Sequence, residues 1–256
     1  MSSTILPHPK PTECAVGSVY LVGAGPGAAD LITVRGDRLL RSADVIVHDA
    51  LVDPALYEGL SAEIIDVGKR SGDHTLPQDE ICALLVQLAR KGRRVVRLKG
   101  GDPFVLGRGS EEAAALAEAG VPCEVVPGVS SAIAGPALGG IPVTHRGVAD
   151  AFCVVSAHPR DHEVPFTLPA FRERLTVVLL MGVRNVADWS AALMQRSWPG
   201  STPIAWVIWA GRADQRVIRA TLATAVEQAN EQGLSAPAVA VVGGVAGLPT
   251  FDAGGP

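Results

Sequence analysis

Short apolar runs recur along the chain, and most of them close on glycine, proline or a charge. Ser18–Val22 runs into Gly23-Ala24-Gly25-Pro26-Gly27, the pattern of a buried strand entering a glycine loop. Apolar residues at Leu31, Val34, Leu39 and Leu40 predict a helix over 31–42. A second strand is expected over Ala43–Val47, ending at His48-Asp49, and a third over Ile64–Val67, ending at Gly68-Lys69-Arg70. Pro77-Gln78-Asp79-Glu80 opens a helix that runs to Arg90, with proline in the first turn and acids at the positive end of the helix dipole. Arg94–Leu98 reads as a fourth strand, followed by Lys99-Gly100-Gly101-Asp102-Pro103. A helix over 110–119 follows, with Ser110 as its expected N-cap and Gly120 as its stop, and then a strand over Cys123–Val126 that ends in Pro127-Gly128.

The segment 135–147 is rich in glycine and proline, and it is the expected linker. After it the alternation restarts: strand 151–156, strand 176–181, helix 186–195, strand 203–209, helix 221–231 and strand 238–242. No internal sequence repeat relates the two halves. Strands alternating with helices predict an α/β fold of two domains with a ligand cleft between them. The expected organisation is a flexible tail over 1–17, an N-terminal domain over 18–134, the linker over 135–147 and a C-terminal domain over 148–250.

Composition narrows the class. Gly 28 and Pro 19 together exceed average usage without a Gly-X-Y period, so the chain has many tight turns or close backbone approaches. A net charge of −4 offers no whole-molecule attraction to nucleic acid or to a membrane surface, and neither is expected as a partner. Cys14, Cys82, Cys123 and Cys153 include no CxxC pair, and His48, His74, His145 and His158 have no metal-ligand spacing, so no metal is expected. The polar, proline-rich start lacks the apolar core of a signal peptide, and no apolar run is long enough to span a bilayer. The expectation is a soluble cytoplasmic enzyme.

Three loops carry the candidate chemistry. Gly23-x-Gly25-x-x-Ala28, with Asp49 at the end of the next strand, superficially matches a dinucleotide fingerprint. Pro26 removes an N–H that a pyrophosphate would need, which leaves a tight turn or a different small-molecule loop as alternatives. The stretch from Lys99 to Gly109 holds four glycines, a carboxylate at Asp102, and cations at Lys99 and Arg108 that can meet anionic groups. Val126–Ala132 is a third loop at a strand's C-terminal end, where ligands gather in open α/β sheets. Asp49 and Lys69 each follow a strand and can act as acid or base; each also reads as a solvated end-of-strand charge. Met181, Trp206 and Trp209 read as packing residues.

The order of VYLVGAGPG (19–27), VIVHDALV (45–52), VGKR (67–70), RVVRLKGGDPFVLGRGSEE (94–112), VVPGVSSA (125–132) and GIPVTHRG (140–147) resembles the tetrapyrrole methylase family. The resemblance implies two α/β domains, a homodimer, and S-adenosyl-L-methionine as methyl donor, leaving S-adenosyl-L-homocysteine as product. It implies methylation of uroporphyrinogen III at C2 and C7 to precorrin-2, toward sirohaem or cobalamin. Carried over residue by residue, Pro26, Gly100, Gly101, Asp102, Val105, Ser130, Ser131, Met181, Ala210 and Ala238 would line the donor. Asp49 and Lys69 match the proton acceptor and donor, Glu111 a carboxylate implicated in proton removal, and Arg108 and Arg146 the grips on substrate carboxylates. Ala50 stands where many relatives have arginine, and 208–211 lacks their usual Glu-x-Gly-Thr. With no dehydrogenase–ferrochelatase module ahead of it, the chain is expected to methylate and stop. A methylase of a later corrin intermediate, an NAD(P) oxidoreductase and a silent ligand-sensing relative are the alternatives.

Overall fold

The computed structural model describes residues 13–68, 76–158 and 167–249. They divide into two compact units: one takes the described residues up to Gly25 together with Ala29–Val129, and the other takes Pro26–Ala28 with the described residues from Ser130 onward.

Unit 1 is built on five strands: β1 (Val19–Gly23), β2 (Val45–His48), β3 (Glu63–Asp66), β4 (Val95–Lys99) and β5 (Cys123–Val126). Their order in the sheet is β3-β2-β4-β1-β5, and every pair is parallel. The apolar runs of β1, β2 and β4 are buried along their whole length, as a parallel sheet covered on both faces requires. Strand alternation sorts their side chains. Tyr20, Val22, Ile46, Val96 and Leu98 pack with Leu39 and Leu40 of α1 (Val34–Ser42). Val19, Leu21, Val45, Val47 and Val95 pack with Ile81, Leu85 and Leu88 of α2 (Gln78–Arg90) and with Leu116 of α3 (Gly109–Glu118). Each such side chain contributes about 1.5–3 kcal/mol of burial.

Two helix starts differ from expectation. α1 begins at Val34 because Thr33 caps it, accepting from the Gly36 N–H at 3.1 Å, and Ala29–Leu31 form a separate 3-10 turn. α3 begins at Gly109 after Arg108, whose φ of 58° turns the chain through the left-handed region, so Ser110 sits inside the first turn and is not the cap.

Unit 2 holds a mixed sheet in the order β6-β7-β10-β8-β9. Its strands are β6 (Ala151–Ser156), β7 (Leu175–Leu180), β8 (Pro203–Ile208), β9 (Arg216–Thr221) and β10 (Ala238–Val242). β6 and β7 are parallel, and the other pairs are antiparallel. The helices are α4 (Ser131–Leu138), α5 (Val186–Gln195) and α6 (Ala225–Glu231). α4 occupies the first part of the expected linker, and the whole of 135–147 belongs to unit 2. Glycines let α4 and its end lie close to the sheet: a Cβ on Gly135 would meet Val239 Cγ2 at 2.9 Å, and one on Gly139 would meet Val207 Cγ2 at 2.5 Å. β9 has no counterpart among the expected elements, and the helix expected from Thr221 starts at Ala225. Among the described residues no helix is long and apolar enough to cross a membrane.

Candidate active site

Because the sheet of unit 1 is all parallel, the C-terminal ends of its strands share one edge. β4, β1 and β5 are neighbours there, so the three glycine-bearing loops read from the sequence emerge side by side. They interlock through backbone. A Cβ on Gly23 would lie 2.5 Å from Gly128 Cα and 2.6 Å from Gly101 O, so no larger residue fits between the loops. The Ala24 N–H donates to Lys99 O at 2.7 Å, and Gly25 and Gly101 exchange N–H···O bonds at 3.2 and 2.7 Å. Gly25 and Gly101 both have positive φ, of 82° and 66°. The amides of the first loop are therefore spent on its neighbour, and α1 begins only at Val34, so the arrangement is not that of a dinucleotide fingerprint. In front of Gly100, by contrast, a Cβ would meet nothing within 4 Å. A ligand can approach the main chain there.

Asp102 ties two of these loops together. Its Oδ1 accepts from the Phe104 N–H at 2.8 Å and its Oδ2 from the Gly128 N–H at 3.0 Å. Beyond it, Leu106 and Arg108 both adopt left-handed backbone, with φ of 55° and 58°, and Phe104 and Leu106 are exposed. Val105 is half-buried between them. A run of strained residues on an exposed glycine loop is the kind of feature that clusters at ligand sites. Arg108 and Glu111 form a two-pronged ion pair at 3.0 and 2.7 Å, and the Glu111 carboxylate holds the Arg108 pKa above its ordinary value.

Asp49 follows β2 at the same edge, one residue beyond the His48–Leu98 register pair, which sets it level with Lys99 of β4. Its Oδ1 accepts from Arg97 Nη2. Arg97, Lys99 and Glu112 form a buried ionic cluster behind it, a group the sequence did not single out. Lys99, expected to meet an anionic ligand, is instead buried against Glu112 at 3.0 Å; burial, with Arg97 nearby, pulls its pKa below the ordinary lysine value. Lys69 lies outside the described residues.

In unit 2, Ser130 caps α4, its hydroxyl accepting from the Ala132 N–H at 3.3 Å, and Ser131 is the first residue of the helix. Met181, read as packing, is not core: it follows β7 with φ of 61° and is 49% exposed. Trp206 is core, and Trp209, partly buried, packs against the same core with φ of 49° and its ring 5.5 Å beneath the Arg212 guanidinium. Pro26, Gly27 and Ala28 lie in this unit, and a Cβ on Gly27 would run into Ala210 O, one on Gly211 into the Ala28 nitrogen at 3.0 Å. Ala238 opens β10 opposite Ile208, and Arg146 is exposed in the turn closed by His145 and Ala149.

Residues 18–226 match the family described as Tetrapyrrole (Corrin/Porphyrin) Methylases. The chain belongs to that family. It is 47% identical over 235 residues to the siroheme synthase of Chromobacterium violaceum, a match covering 91% of this chain and 50% of that protein, so the chain spans half the length of that relative. It is 46% identical over 239 residues to the S-adenosyl-L-methionine-dependent uroporphyrinogen III methyltransferase of Methanosarcina barkeri, covering 91% of this chain and 93% of the relative. Among solved structures it resembles the uroporphyrin-III C-methyl transferase of Thermus thermophilus complexed with S-adenyl homocysteine, with a TM-score of 0.75 and 37% identity, covering 89% of this chain and 92% of that one.

Proposed function

We propose that the chain transfers methyl groups from S-adenosyl-L-methionine to C2 and C7 of uroporphyrinogen III, giving precorrin-2 for sirohaem or cobalamin synthesis. The observation that carries this reading is the interlocked edge of unit 1, where the Gly23, Gly101 and Gly128 backbones meet at the strand ends that also carry Asp49, in a chain so similar to a methyltransferase named for this donor and substrate. The open space at Gly100 and the acceptor capacity left on Asp102 suit a donor with ribose hydroxyls and an amino group.

When bound, the donor supplies an electrophilic methyl on a sulfonium, open to in-line attack by an electron-rich pyrrole carbon. Pro26, Gly100, Gly101, Asp102, Val105, Ser130, Ser131, Met181, Ala210 and Ala238 are the residues assigned to bind it. Holding the reactants in line is where most of the acceleration arises. The cation formed when the methyl is added must then lose a proton from elsewhere on the macrocycle, because the methylated carbon carries no hydrogen, and a fixed carboxylate serves as base; Asp49 takes that role, with Glu111 as the second carboxylate and Lys69 as proton donor. Arg108, whose Nε and Nη2 are paired with Glu111, and Arg146 meet carboxylates of the macrocycle. The enzyme acts in the cytoplasm as a homodimer.

Transfer of labelled methyl from the donor to uroporphyrinogen III under anaerobic conditions tests the reading. Label should appear in the tetrapyrrole only when both substrates are present. A protein that takes up NADP in a titration but not the donor would overturn it.

A further inference from the structure

Arg97 and Lys99 of β4 and Glu112 of α3 are each at most 2% exposed, on the side of the sheet where valine, leucine and isoleucine predominate. Glu112 Oε1 accepts from Arg97 Nε at 3.1 Å, from Lys99 Nζ at 3.0 Å and from Gln78 Nε2 at 3.1 Å. Its Oε2 has no partner among the described residues. Arg97 Nη1 lies 3.4 Å from the carbonyls of both Val47 and Leu98, which fixes the plane of the guanidinium. Nη2 then reaches Asp49 Oδ1.

Stability does not account for this cluster. Desolvating charged groups costs more than their mutual attraction usually returns, and apolar residues of similar volume serve a core as well or better. An unpartnered carboxylate oxygen adds to that cost. The charges explain what completes the cluster. Two cations and one anion are buried, and Asp49 supplies the second anion. Its side chain is 36% exposed, against 2% for Arg97 and 0% for Glu112. The cluster thus runs from the interior to the sheet edge and ends on Asp49. Burial opposes the Arg97 cation, yet Asp49 and Glu112 outweigh it and hold its pKa above the ordinary value.

We propose that Arg97 is a positioning residue: clamped by Glu112 and two backbone carbonyls, its guanidinium fixes Oδ1 of Asp49 and leaves Oδ2 oriented for the substrate's proton. The proposal rests on the reading of Asp49 as the base. A lysine at 97 keeps the charge, but its point-like ammonium cannot hold Glu112, Asp49 and two carbonyls at once.

The test is a double-mutant cycle on the full-length protein, with Arg97→Lys, Asp49→Asn and the double variant assayed for kcat and for the KM of both substrates. Arg97→Lys is expected to lower kcat by about ten-fold or more with the donor KM unchanged, since small misplacements of a reacting group cost up to about a hundred-fold. In the Asp49→Asn background the same change is expected to lower kcat by less than about two-fold, because the group it positions is gone. An equal loss in both backgrounds would make Arg97 a general structural residue and overturn the proposal, as would no loss at all while Asp49→Asn is impaired. If Asp49→Asn itself turns over like the unaltered protein, the assignment of the base fails first, and the proposal with it. Should Arg97→Lys fail to fold, Arg97→Met with Glu112→Gln removes one charge of each sign and enters the same cycle with the same criteria.

Discussion

Asp102 Oδ2 accepts a hydrogen bond from the Gly128 N–H at 3.0 Å, joining the loop after β4 to the loop after β5 across 26 residues of sequence. The same carboxylate caps its own loop through the Phe104 N–H. A residue read as a ligand contact is therefore also the clasp of the edge that would hold the ligand.

Asp102→Ala should accordingly act twice. Losing two hydrogen bonds to a carboxylate is expected to cost about 1–3 kcal/mol of stability, and the dissociation constant for the donor should rise by about ten-fold or more, since a charge-assisted contact is worth at least that. Thermal melting and calorimetric titration measure the two effects separately. An unchanged dissociation constant would remove Asp102 from the donor site.

The glycines at this edge differ in what they tolerate. A Cβ at Gly23 meets backbone at 2.5 and 2.6 Å, so Gly23→Ala should destabilise the fold by about 1–3 kcal/mol or more. A Cβ at Gly100 meets nothing within 4 Å, so Gly100→Ala should leave stability within about 0.5 kcal/mol. Donor affinity should nonetheless fall, because the methyl occupies space a ligand would use. A Gly100→Ala protein that binds donor normally would show that no ligand approaches this main chain.

Much of unit 1 was legible because a covered parallel sheet demands apolar runs, and the runs at 19–23, 45–48 and 95–99 stand out against glycine and charge. α4 was not legible: SAIAGPAL carries glycine and proline inside a helix, and Gly135 is there because a side chain would run into Val239 of β10. β9 was missed because it is an edge strand whose arginines, Arg216 and Arg219, break the apolar signal. The buried cluster was hidden for a different reason. Lys99 at the strand's end read as a cation for an anionic ligand and Arg97 lay unremarked inside the strand; only the fold brings the distant Glu112 against both and Asp49 against Arg97.

Met181 should separate function from fold. With its side chain 49% exposed, Met181→Ala is expected to change stability by less than about 1 kcal/mol. As a donor-site residue its loss should lower turnover by about ten-fold or more, read as kcat/KM for the donor. A variant with full activity would return Met181 to the role of a surface side chain.

Asp44 gives a pH signature unrelated to the site. Hydrogen bonds from the Arg94 guanidinium and backbone N–H lower its carboxyl pKa from 3.8 to about 2. A depressed carboxylate stabilises the fold above its unfolded pKa and loses that contribution as pH falls through the folded one. Asp44→Asn should therefore be less stable than the unaltered protein at neutral pH, by about 1 kcal/mol once the exposure of the pair is allowed for. The difference should close between about pH 4 and pH 2, which denaturant titrations at stepped pH would reveal. A gap that persists at pH 2 would contradict the assignment.

The measurement that bears most directly on the proposed activity is the mass of the product. Purified protein is incubated anaerobically with S-adenosyl-L-methionine and uroporphyrinogen III, and the tetrapyrroles are weighed by mass spectrometry. Two added methyl groups are the expected result. An unmethylated macrocycle, from a protein shown in the same experiment to bind the donor, would contradict uroporphyrinogen III as the acceptor.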